Sequence, residues 1–490
     1  MPTYSTTPIV ALIMGGTLAV GACNFDVTNP NSPPAIGPNA TPAQVAAASI
    51  GLLAGLRVDY SNWVQKSSIM AREGYRLDVA DPRFTTELLA GPLDPTNNAF
   101  GGGQWQPEYR TIQSGYAILN VIGTAQLPDS EKNAIRGFVR TIQALSFLSV
   151  LNAHIQDSIP IDVNRSIDQP LAPFVRNDSA YKAVIAILDS ARADLLAAGS
   201  AAGSIFPFDP GPGFTGFKTP DTFLRFNRAL VARVRAYRAS LGALTAGIYG
   251  PAPLGWTACA ACWDSVLTAL QASFIDPAAS LDVGAYNAFG TGNLDVPNTL
   301  SQDPASAVNV AHRMLKDSAE FQVAPNGSKR DKRYLDKITD RADTLPLACL
   351  KSALSWIRYP TPNASIPIIR NEELFLLRAE ANWFGITGSK LQAVTDLNFI
   401  RQNAGNLAPT TVTIASTDAE FVTALLHERL YSLLYEGGHR WIDLRRYGRL
   451  TQIIRDRPNA CSVLPGSGIT KPDTVFSSLP INLFEVQARQ

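Results

Sequence analysis

The sequence predicts a mainly α-helical fold in which paired helices form a scaffold and long irregular loops form the exposed face. Apolar residues recur at i, i+3, i+4 and i+7 over long stretches, and very short connectors separate some of these stretches. No continuous alternation typical of β-strands is evident, which leaves room only for short hairpins within residues 275–365. With 46 % hydrophobic residues in a 490-residue chain, we expect a sizeable core.

The helical stretches come in order along the chain. They are residues 107–125 and 131–154, with Asp129 or Ser130 as a cap of the second, then 179–199, 225–244, 370–386 and 389–405. Small residues such as Ala379, Ala381 and Ala393 stand where neighbouring helices must approach, and the hairpins resemble tetratricopeptide-type units. Irregular stretches are expected at residues 76–106, 199–220, 248–310 and 320–370, and loops of such length are usually functional.

The N-terminus indicates export. An apolar run from Pro8 to Val20 is too short to span a membrane but suits a secretory signal, and Val20-Gly21-Ala22-Cys23 resembles a bacterial lipobox. We therefore expect a lipoprotein signal peptide at residues 1–22, lipidation of Cys23, a flexible tether at 23–42 and a single helical domain at 43–490. Residues 1–10 contain no Lys or Arg, unlike an ordinary signal peptide, so an upstream start codon and a plain cleaved signal with a chance cysteine stay open.

Net charge and cysteine content narrow the possible functional classes of the protein. The formal charge is +1, from 42 basic and 41 acidic residues, which gives no overall attraction to nucleic acid. The four remaining cysteines, Cys259, Cys262, Cys349 and Cys461, favour disulfides in an exported protein, and three pairings are open. A redox or zinc role for the C-x-x-C pair is disfavoured because no second pair accompanies it and the four histidines are scattered.

The stretch "HERLYSLLYEGGHRWIDLRRYGRL", His427 to Leu450, places many charges among apolar residues at helical spacing. Charges in such positions persist only when they are paired, so we expect Glu436, Arg440, Asp443 and Arg445 to pair with one another, and an arginine face can also stack on Trp441. A glycosidase pair of Glu436 and Asp443 is the catalytic alternative, but adjacent arginines would keep both carboxylates ionised. We interpret the stretch as scaffold, and we expect no catalytic residue, metal ligand or cofactor.

Several motifs resemble the SusD/RagB family of outer-membrane lipoproteins. They are "WQPEYRTIQSGYAILNVI", the E-x-x-L-x-x-A-E-A pattern from Glu373, the stretch Glu428 to Gly448, and "SLPINLFEVQ" near the C-terminus. The residues that carry the two strongest motifs are Glu373, Glu380, Glu428, Arg429, Glu436, Arg440, Trp441, Asp443 and Arg445. Ser432, Gly438 and "HIQDS" depart from the family pattern and leave the subgroup and the ligand open.

The resemblance implies a lipid-anchored, non-enzymatic protein on the surface of a Gram-negative bacterium. Such a protein forms a lid over a SusC-like TonB-dependent outer-membrane transporter and captures an oligosaccharide or another nutrient oligomer. A secreted glycan-degrading enzyme and a structural or adhesion protein are the alternatives from other classes.

A sugar site would combine aromatic platforms with amide, acidic and basic side chains, because sugar C–H faces stack on rings while hydroxyls need directed hydrogen bonds. Candidates in the loops are Trp63, Tyr75, Arg76, Asp78, Asp81, Arg83, Asn97, Asn98, Trp105, Trp256, Tyr286, Asn287 and Phe289. For each of them, ordinary packing in the core or in a loop is the alternative.

Overall fold

Helical hairpins form the scaffold of the protein in a computed structural model. The structure describes residues 36–155, 157–166, 168–199, 206–241, 259–293, 295–462 and 469–490. The predicted signal peptide, Cys23, most of the predicted tether and Trp256 lie outside the described residues. Residues Ile36–Gln490 form one compact unit.

The helices confirm the mainly α-helical prediction. They are α1 (Pro42–Arg57), α2 (Tyr60–Met70), α3 (Arg83–Thr86), α4 (Gln106–Val121), α5 (Asp129–Ala153), α6 (Asn177–Ala197), α7 (Pro220–Ala239), α8 (Ala260–Gln271), α9 (Arg313–Asp317), α10 (Lys332–Leu335), α11 (Asn371–Phe384), α12 (Lys390–Asn403), α13 (Asp418–Ser432), α14 (His439–Arg446) and α15 (Leu483–Gln487). Single 3-10 turns occur at Ile122–Thr124, Pro212–Phe214 and Leu450–Gln452. Neighbouring helices pack as consecutive pairs, most extensively α5 with α6 and α11 with α12.

Strands are short and antiparallel. They are β1 (Gly74–Arg76), β2 (Ile159–Pro160), β3 (Phe174–Val175), β4 (Gly284–Asn287), β5 (Asn309–Ala311), β6 (Ile338–Leu347), β7 (Leu350–Trp356), β8 (Ile366–Arg370), β9 (Cys461–Ser462) and β10 (Ile469–Thr470). One four-stranded sheet has the order β1-β5-β7-β6, and the pairs β4-β8, β2-β3 and β9-β10 stand apart from it. The β6–β7 hairpin lies where the sequence left room for one.

Local sequence explains where the helices begin. Thr41, Thr219 and Thr417 each form a capping box at the start of α1, α7 and α13, and proline follows the first two of these caps. The predicted cap of α5 was wrong. Asp129 is the first residue of that helix, and Pro128 precedes it without a side-chain cap. The Asp129 carboxylate therefore interacts favourably with the positive end of the helix dipole instead of capping the helix.

A further difference from the sequence expectation concerns α8. Helix α8 lies inside the stretch 248–310, which was expected to be irregular. Helix α5 is long and apolar enough to cross a membrane by composition, yet most of it is packed inside the core, where Phe138, Ile142 and Leu151 are fully buried. We interpret α5 as the central core helix.

Disulfides join Cys259 to Cys262 and Cys349 to Cys461. The first bridge lies at the start of α8, and it belongs to one of the three pairings that the sequence left open. The second bridge ties the turn of the β6–β7 hairpin to β9, more than a hundred residues later in the chain.

Candidate functional site

The stretch from Glu428 to Gly448 forms a buried network of ion pairs. Glu436 accepts hydrogen bonds from Arg358 at 3.0 Å and from Arg370 at 2.9 Å. Asp443 accepts from Nε of Arg429 at 2.6 Å and from Nε of Arg446 at 2.8 Å. Each carboxylate is therefore shared by two guanidinium groups, which is how buried charges are stabilised.

The glutamates of the two strongest motifs follow the same rule. Glu373 accepts from Arg233 at 2.7 Å, and Glu380 accepts from Arg446 and Tyr447. Glu428 accepts from Arg401 at 2.6 Å and lies 2.8 Å from Arg333. The network thereby joins α7, α11, α13 and α14 into one block.

The predicted pairing of Glu436 and Asp443 with Arg440 and Arg445 was wrong. The arginines that bind these carboxylates come from β8, from the loop before it, and from α13 and the end of α14. Arg440 instead donates to the Ala71 carbonyl at 3.0 Å, while Arg445 donates to the Asn152 carbonyl at 2.6 Å. Helix α14 has buried neighbours on several sides, so its charges reach different elements.

Trp441 and Arg445 tie α14 to the C-terminal segment. The Arg445 guanidinium lies 4.6 Å over the Trp441 ring and donates to the Ser477 carbonyl at 2.9 Å. The Trp441 indole donates to the Phe476 carbonyl at 2.7 Å. This geometry agrees with the stacking expected from the sequence.

The burial and the pKa values of this network argue against catalysis. Glu436 and Asp443 are each 2 % exposed. Although burial opposes it, the neighbouring Arg370 and Arg358 lower the pKa of Glu436 to about 2, and Arg429 and Arg446 lower the pKa of Asp443. A glycosidase general acid needs a raised pKa and an exposed position beside its substrate, whereas these two carboxylates are buried and their pKa values are lowered. The sequence interpretation placed Glu436 inside a helical segment. In the structure it lies in the turn before α14.

A group of Glu320, His427 and Glu428 has the spacing of metal ligands. Arg401 donates to both carboxylates, at 2.7 Å to Glu320 and 2.6 Å to Glu428. His427 and Arg401 lower the pKa of Glu320. Because a guanidinium already occupies the space between the two carboxylates, these residues do not fit a metal ion.

The candidate ligand residues do not form one cluster. Trp63 and Tyr75 are 3 % and 2 % exposed, so their rings are enclosed by protein. Trp63 donates from its indole to the Gly437 carbonyl at 3.0 Å, and the Tyr75 hydroxyl donates to Asp456 at 3.0 Å. Both rings thus occupy packing positions in the scaffold.

Charged candidates near β1 pair locally. Arg76 donates to Asp78 at 2.9 Å and lies 4.4 Å over the Phe84 ring. Asp81 pairs with the exposed Arg83 at 2.8 Å, and this guanidinium side chain lowers the pKa of Asp81. These residues order the loop that follows β1.

Tyr286 and Asn287 lie on β4. The half-buried Tyr286 donates from its hydroxyl to the Asp282 carbonyl, and Asn287 is 5 % exposed. Asn287 and Trp63 line a cavity of about 60 Å³ together with Glu108, Ser146 and Asn152. This volume holds a few water molecules and is too small for a sugar ring.

Trp105 lines a larger surface cavity of about 420 Å³, here called the Trp105 cavity. Its walls are the start of α4, the loop that contains β2 and continues to Ala172, and the C-terminal helix α15 with the residues beside it. The lining residues are Trp105, Gln106, Tyr109, Gln113, Pro160, Val163, Arg165, Ser166, Gln169, Pro170, Leu171, Ala172, Asn482, Phe484, Glu485 and Arg489. The volume lies within the usual range of small-molecule sites.

Aromatic contacts hold the inner wall of the cavity in place. Trp105 packs edge-on against His154 with ring centroids 4.9 Å apart, and burial lowers the pKa of this histidine to about 4. Tyr109 packs against Trp105 at 5.3 Å and donates from its hydroxyl to the Pro160 carbonyl at 2.8 Å. This hydrogen bond fixes the β2 loop over α4.

The outer part of the cavity is apolar and exposed. The Phe484 side chain is 58 % exposed and the Leu171 side chain 49 % exposed, although both are large hydrophobic groups. Asn482 fixes the turn into α15, because its Oδ1 accepts from the Phe484 amide at 3.1 Å and its Nδ2 donates to the Gly102 carbonyl at 3.0 Å. Phe484 is therefore presented on an anchored segment.

Sequence reasoning found Trp105 and missed most of its neighbours. Gln106, Gln113, Gln169 and Phe484 carry no local signal, since they come from three separate parts of the chain and meet only around the cavity. The segment with Phe484 was noticed only as the motif "SLPINLFEVQ".

The described chain has the architecture of a helical-hairpin protein whose loops enclose a surface cavity. Residues 322–474 match the model of the SusD family. A SusD-like protein from Bacteroides fragilis NCTC 9343 aligns over 91 % of this chain and 95 % of its own, with a TM-score of 0.63 and 14 % identity. A SusD-like carbohydrate-binding protein from the same organism aligns over 91 % and 98 %, with a TM-score of 0.65 and 15 % identity.

A third similar structure is described as containing a xylogluco-oligosaccharide. It aligns over 91 % of this chain and 96 % of its own, with a TM-score of 0.61 and 13 % identity. A comparison with curated proteins gives no match. The chain therefore has the fold of SusD-like structures, and residues 322–474 match the SusD family model, in agreement with the resemblance of its sequence motifs.

Proposed function

We propose that this protein is a cell-surface lipoprotein that binds an oligosaccharide and delivers it to a SusC-like TonB-dependent transporter in the outer membrane of a Gram-negative bacterium. The observation that carries the proposal is the Trp105 cavity, which combines exposed apolar surface with neutral amide side chains. This combination suits sugars, because their C–H faces need apolar contact and their hydroxyls need groups that both donate and accept hydrogen bonds.

The relatives support a carbohydrate as the ligand. One structural neighbour is described as a SusD-like carbohydrate-binding protein, and another was solved with a xylogluco-oligosaccharide. The cavity of about 420 Å³ accommodates part of an oligosaccharide, with the remainder extending past the exposed Phe484.

The anchor and the transporter rest on the sequence. The apolar run that ends in Val20-Gly21-Ala22-Cys23 supports export and lipidation of Cys23. The family resemblance supports a TonB-dependent transporter as the partner, with the membrane contacted through the lipid and no nucleic acid involved.

A non-catalytic role fits the cavity better than hydrolysis. Among the described lining residues, Glu485 is the single carboxylate, and Arg489 holds it through an i,i+4 ion pair. Glycoside hydrolysis requires two carboxyl groups flanking the bond that breaks, one of them with a raised pKa. A binding protein needs neither.

Calorimetric titration of the purified full chain with a xylogluco-oligosaccharide tests the binding site. We expect Phe484→Ala to weaken binding by about 3- to 10-fold, the value of one stacking contact. Val486→Ala is the matched control, because Val486 is also exposed on α15 but does not line the cavity. Equal affinity of the Phe484→Ala variant and the wild type would refute the Trp105 cavity as the oligosaccharide-binding site.

A pull-down from detergent-solubilised membranes tests the anchor and the partner. Wild-type protein is expected to recover a TonB-dependent transporter from the outer-membrane fraction, whereas Cys23→Ala is expected to lose both membrane association and the transporter. Wild-type protein that stays in the medium without a transporter would refute the lipoprotein role and redirect attention to a secreted enzyme.

A further inference from the structure

We propose that the Trp105 cavity selects neutral oligosaccharides over acidic ones such as uronate-containing glycans. This inference rests on the proposed function, since it assumes that the cavity binds a glycan. The hydrogen bonds of the charged groups that line the cavity determine which chemical class of glycan it binds.

Among the described residues of the wall, Arg165 is the first of two cationic side chains. Its Nε donates to the Asp162 carbonyl at 2.8 Å, one terminal nitrogen donates to the Asp162 carboxylate, and the other donates to the Pro170 carbonyl at 3.3 Å. The charge and all three nitrogens of this guanidinium are thus engaged within its own loop.

Arg489 is the second cation, and it is engaged in a similar way. Its Nε donates to the Glu485 carboxylate at 2.8 Å, and a terminal nitrogen donates to the Ala172 carbonyl at 2.8 Å. The guanidinium also lies 4.3 Å over the Phe174 ring. One face of the group is therefore covered by an aromatic ring and one edge by a carboxylate.

Each cation of the wall has a carboxylate partner. A sugar carboxylate entering the cavity would have to displace Asp162 from Arg165 or Glu485 from Arg489. The displaced carboxylate would stay nearby and repel the carboxylate of the sugar. Buried cations without a partner recognise anions strongly, whereas a neutralised pair gives no such gain. Hence the charged groups of the wall do not strengthen the binding of an acidic sugar relative to a neutral one.

Three of the polar groups that the described wall offers to a ligand are neutral amides. Gln106 and Gln169 are exposed, and within the described residues their side-chain amides make no hydrogen bond. Gln113 donates to the Val163 carbonyl at 2.6 Å and keeps its amide oxygen as an acceptor. An amide donates and accepts at once, as a sugar hydroxyl does, so these three side chains match the hydroxyls of neutral sugars.

Calorimetric titration of the full chain with two probes tests the inference. The neutral probe is a xylogluco-oligosaccharide and the acidic probe is an oligogalacturonate with the same number of rings. We expect the wild type to bind the neutral probe at least about 10-fold more tightly at low ionic strength, where charge effects are least screened.

A charge-neutralising variant sharpens the test. Glu485→Gln keeps the shape of the side chain but releases the charge of Arg489, so we expect the ratio of acidic-probe affinity to neutral-probe affinity to rise about 3- to 10-fold. The control is Asp221→Asn, which loosens an exposed i,i+4 pair with Arg225 on α7. This control is expected to change neither affinity.

The outcomes separate this inference from the proposed function. Tighter binding of the acidic probe by the wild type would overturn the neutral preference and leave glycan binding standing. An unchanged ratio of the two affinities in Glu485→Gln would show that the ion pair does not set the selectivity, which also overturns the inference. Binding of neither probe would overturn the proposed glycan function, and the inference would fall with it.

Discussion

Neutralising Asp443 tests whether the buried charge network is structural. Asp443→Asn preserves the shape of the side chain and removes the charge shared by Arg429 and Arg446. Breaking a buried ion pair by removing one partner costs about 3–5 kcal/mol. Because Arg446 keeps Glu380 as a partner, we expect the lower end of this range, about 3 kcal/mol.

The size of the chain converts this free energy into a small shift of melting temperature. Unfolding entropy is about 2.1 cal/mol/K per residue, which gives roughly 1 kcal/mol/K for 490 residues. A loss of 3 kcal/mol therefore lowers Tm by about 3 °C, which scanning calorimetry resolves. Urea unfolding provides the same free energy from the shift of the midpoint.

Two control variants make the experiment decisive. Asp221→Asn disturbs an exposed pair with a 3.6 Å separation and is expected to cost less than about 1 kcal/mol. Arg429→Met combined with Asp443→Leu removes both charges of one buried pair and is expected to be more stable than Asp443→Asn alone. If Asp443→Asn melts within 1 °C of the wild type, the network does not stabilise the fold and its scaffold role is refuted.

Three more variants probe other features of the fold. Burial raises the pKa of Glu108 to about 7, whereas its pKa in the unfolded chain is near 4.5. The free energy of unfolding of the wild type should therefore fall by about 3 kcal/mol as the pH rises from about 4.5 to about 7. Glu108→Gln lacks this titration, so its Tm relative to the wild type should rise by about 3 °C over the same pH range. Replacing Cys349 and Cys461 by Ser opens a bridge that spans 112 residues and should lower unfolding free energy by about 4–5 kcal/mol in urea. Gly438→Ala should cost about 1–3 kcal/mol by the same assay, because φ is +76° and the added Cβ would lie 2.8 Å from Ser67 Cβ.

Each of these variants has an outcome that contradicts it. A pH-independent Tm difference for Glu108→Gln would mean that this carboxyl is not desolvated in the fold. Opening the short bridge at the start of α8 serves as the control for the long bridge, and an equal loss of stability would exclude the loop-length effect. Wild-type stability of Gly438→Ala would show that the turn before α14 relaxes freely.

Local periodicity was sufficient to predict the hairpin helices α4 to α7, α11 and α12, but α1 and α2 were not among the predicted helices. Helices α11 and α12 follow a regular apolar spacing, and a break of a few residues separates them, so their pairing needs no distant information. Helix α8 was missed because it lies in a region rich in glycine, proline and aromatic residues, where periodicity extends over only three turns. The β6–β7 hairpin was expected only in outline, since its strands alternate irregularly.

Long-range contacts explain why the site could be predicted only in part. The burial of the charges around Gly438 follows from their apolar neighbours, but their partners Arg358 and Arg370 come from elements some seventy residues earlier. Likewise, Trp105 stood out as an aromatic residue in a loop, whereas Phe484 reaches the same cavity from the opposite end of the chain. No local sequence pattern specifies these arginine partners or the approach of Phe484 to the cavity that Trp105 lines.

The buried network and the cavity are connected through α5, which gives the charged motif a role in positioning the site. Arg445 of α14 donates to the carbonyl of Asn152 in the last turn of α5. The next residue but one, His154, places its ring against Trp105, with its two ring nitrogens 3.2 Å from the Leu479 carbonyl and 3.1 Å from the Gly103 carbonyl. Rigid support of this kind is what a preformed binding wall requires. Substitutions in the network should therefore lower stability first, and they should change ligand affinity only when they displace the end of α5.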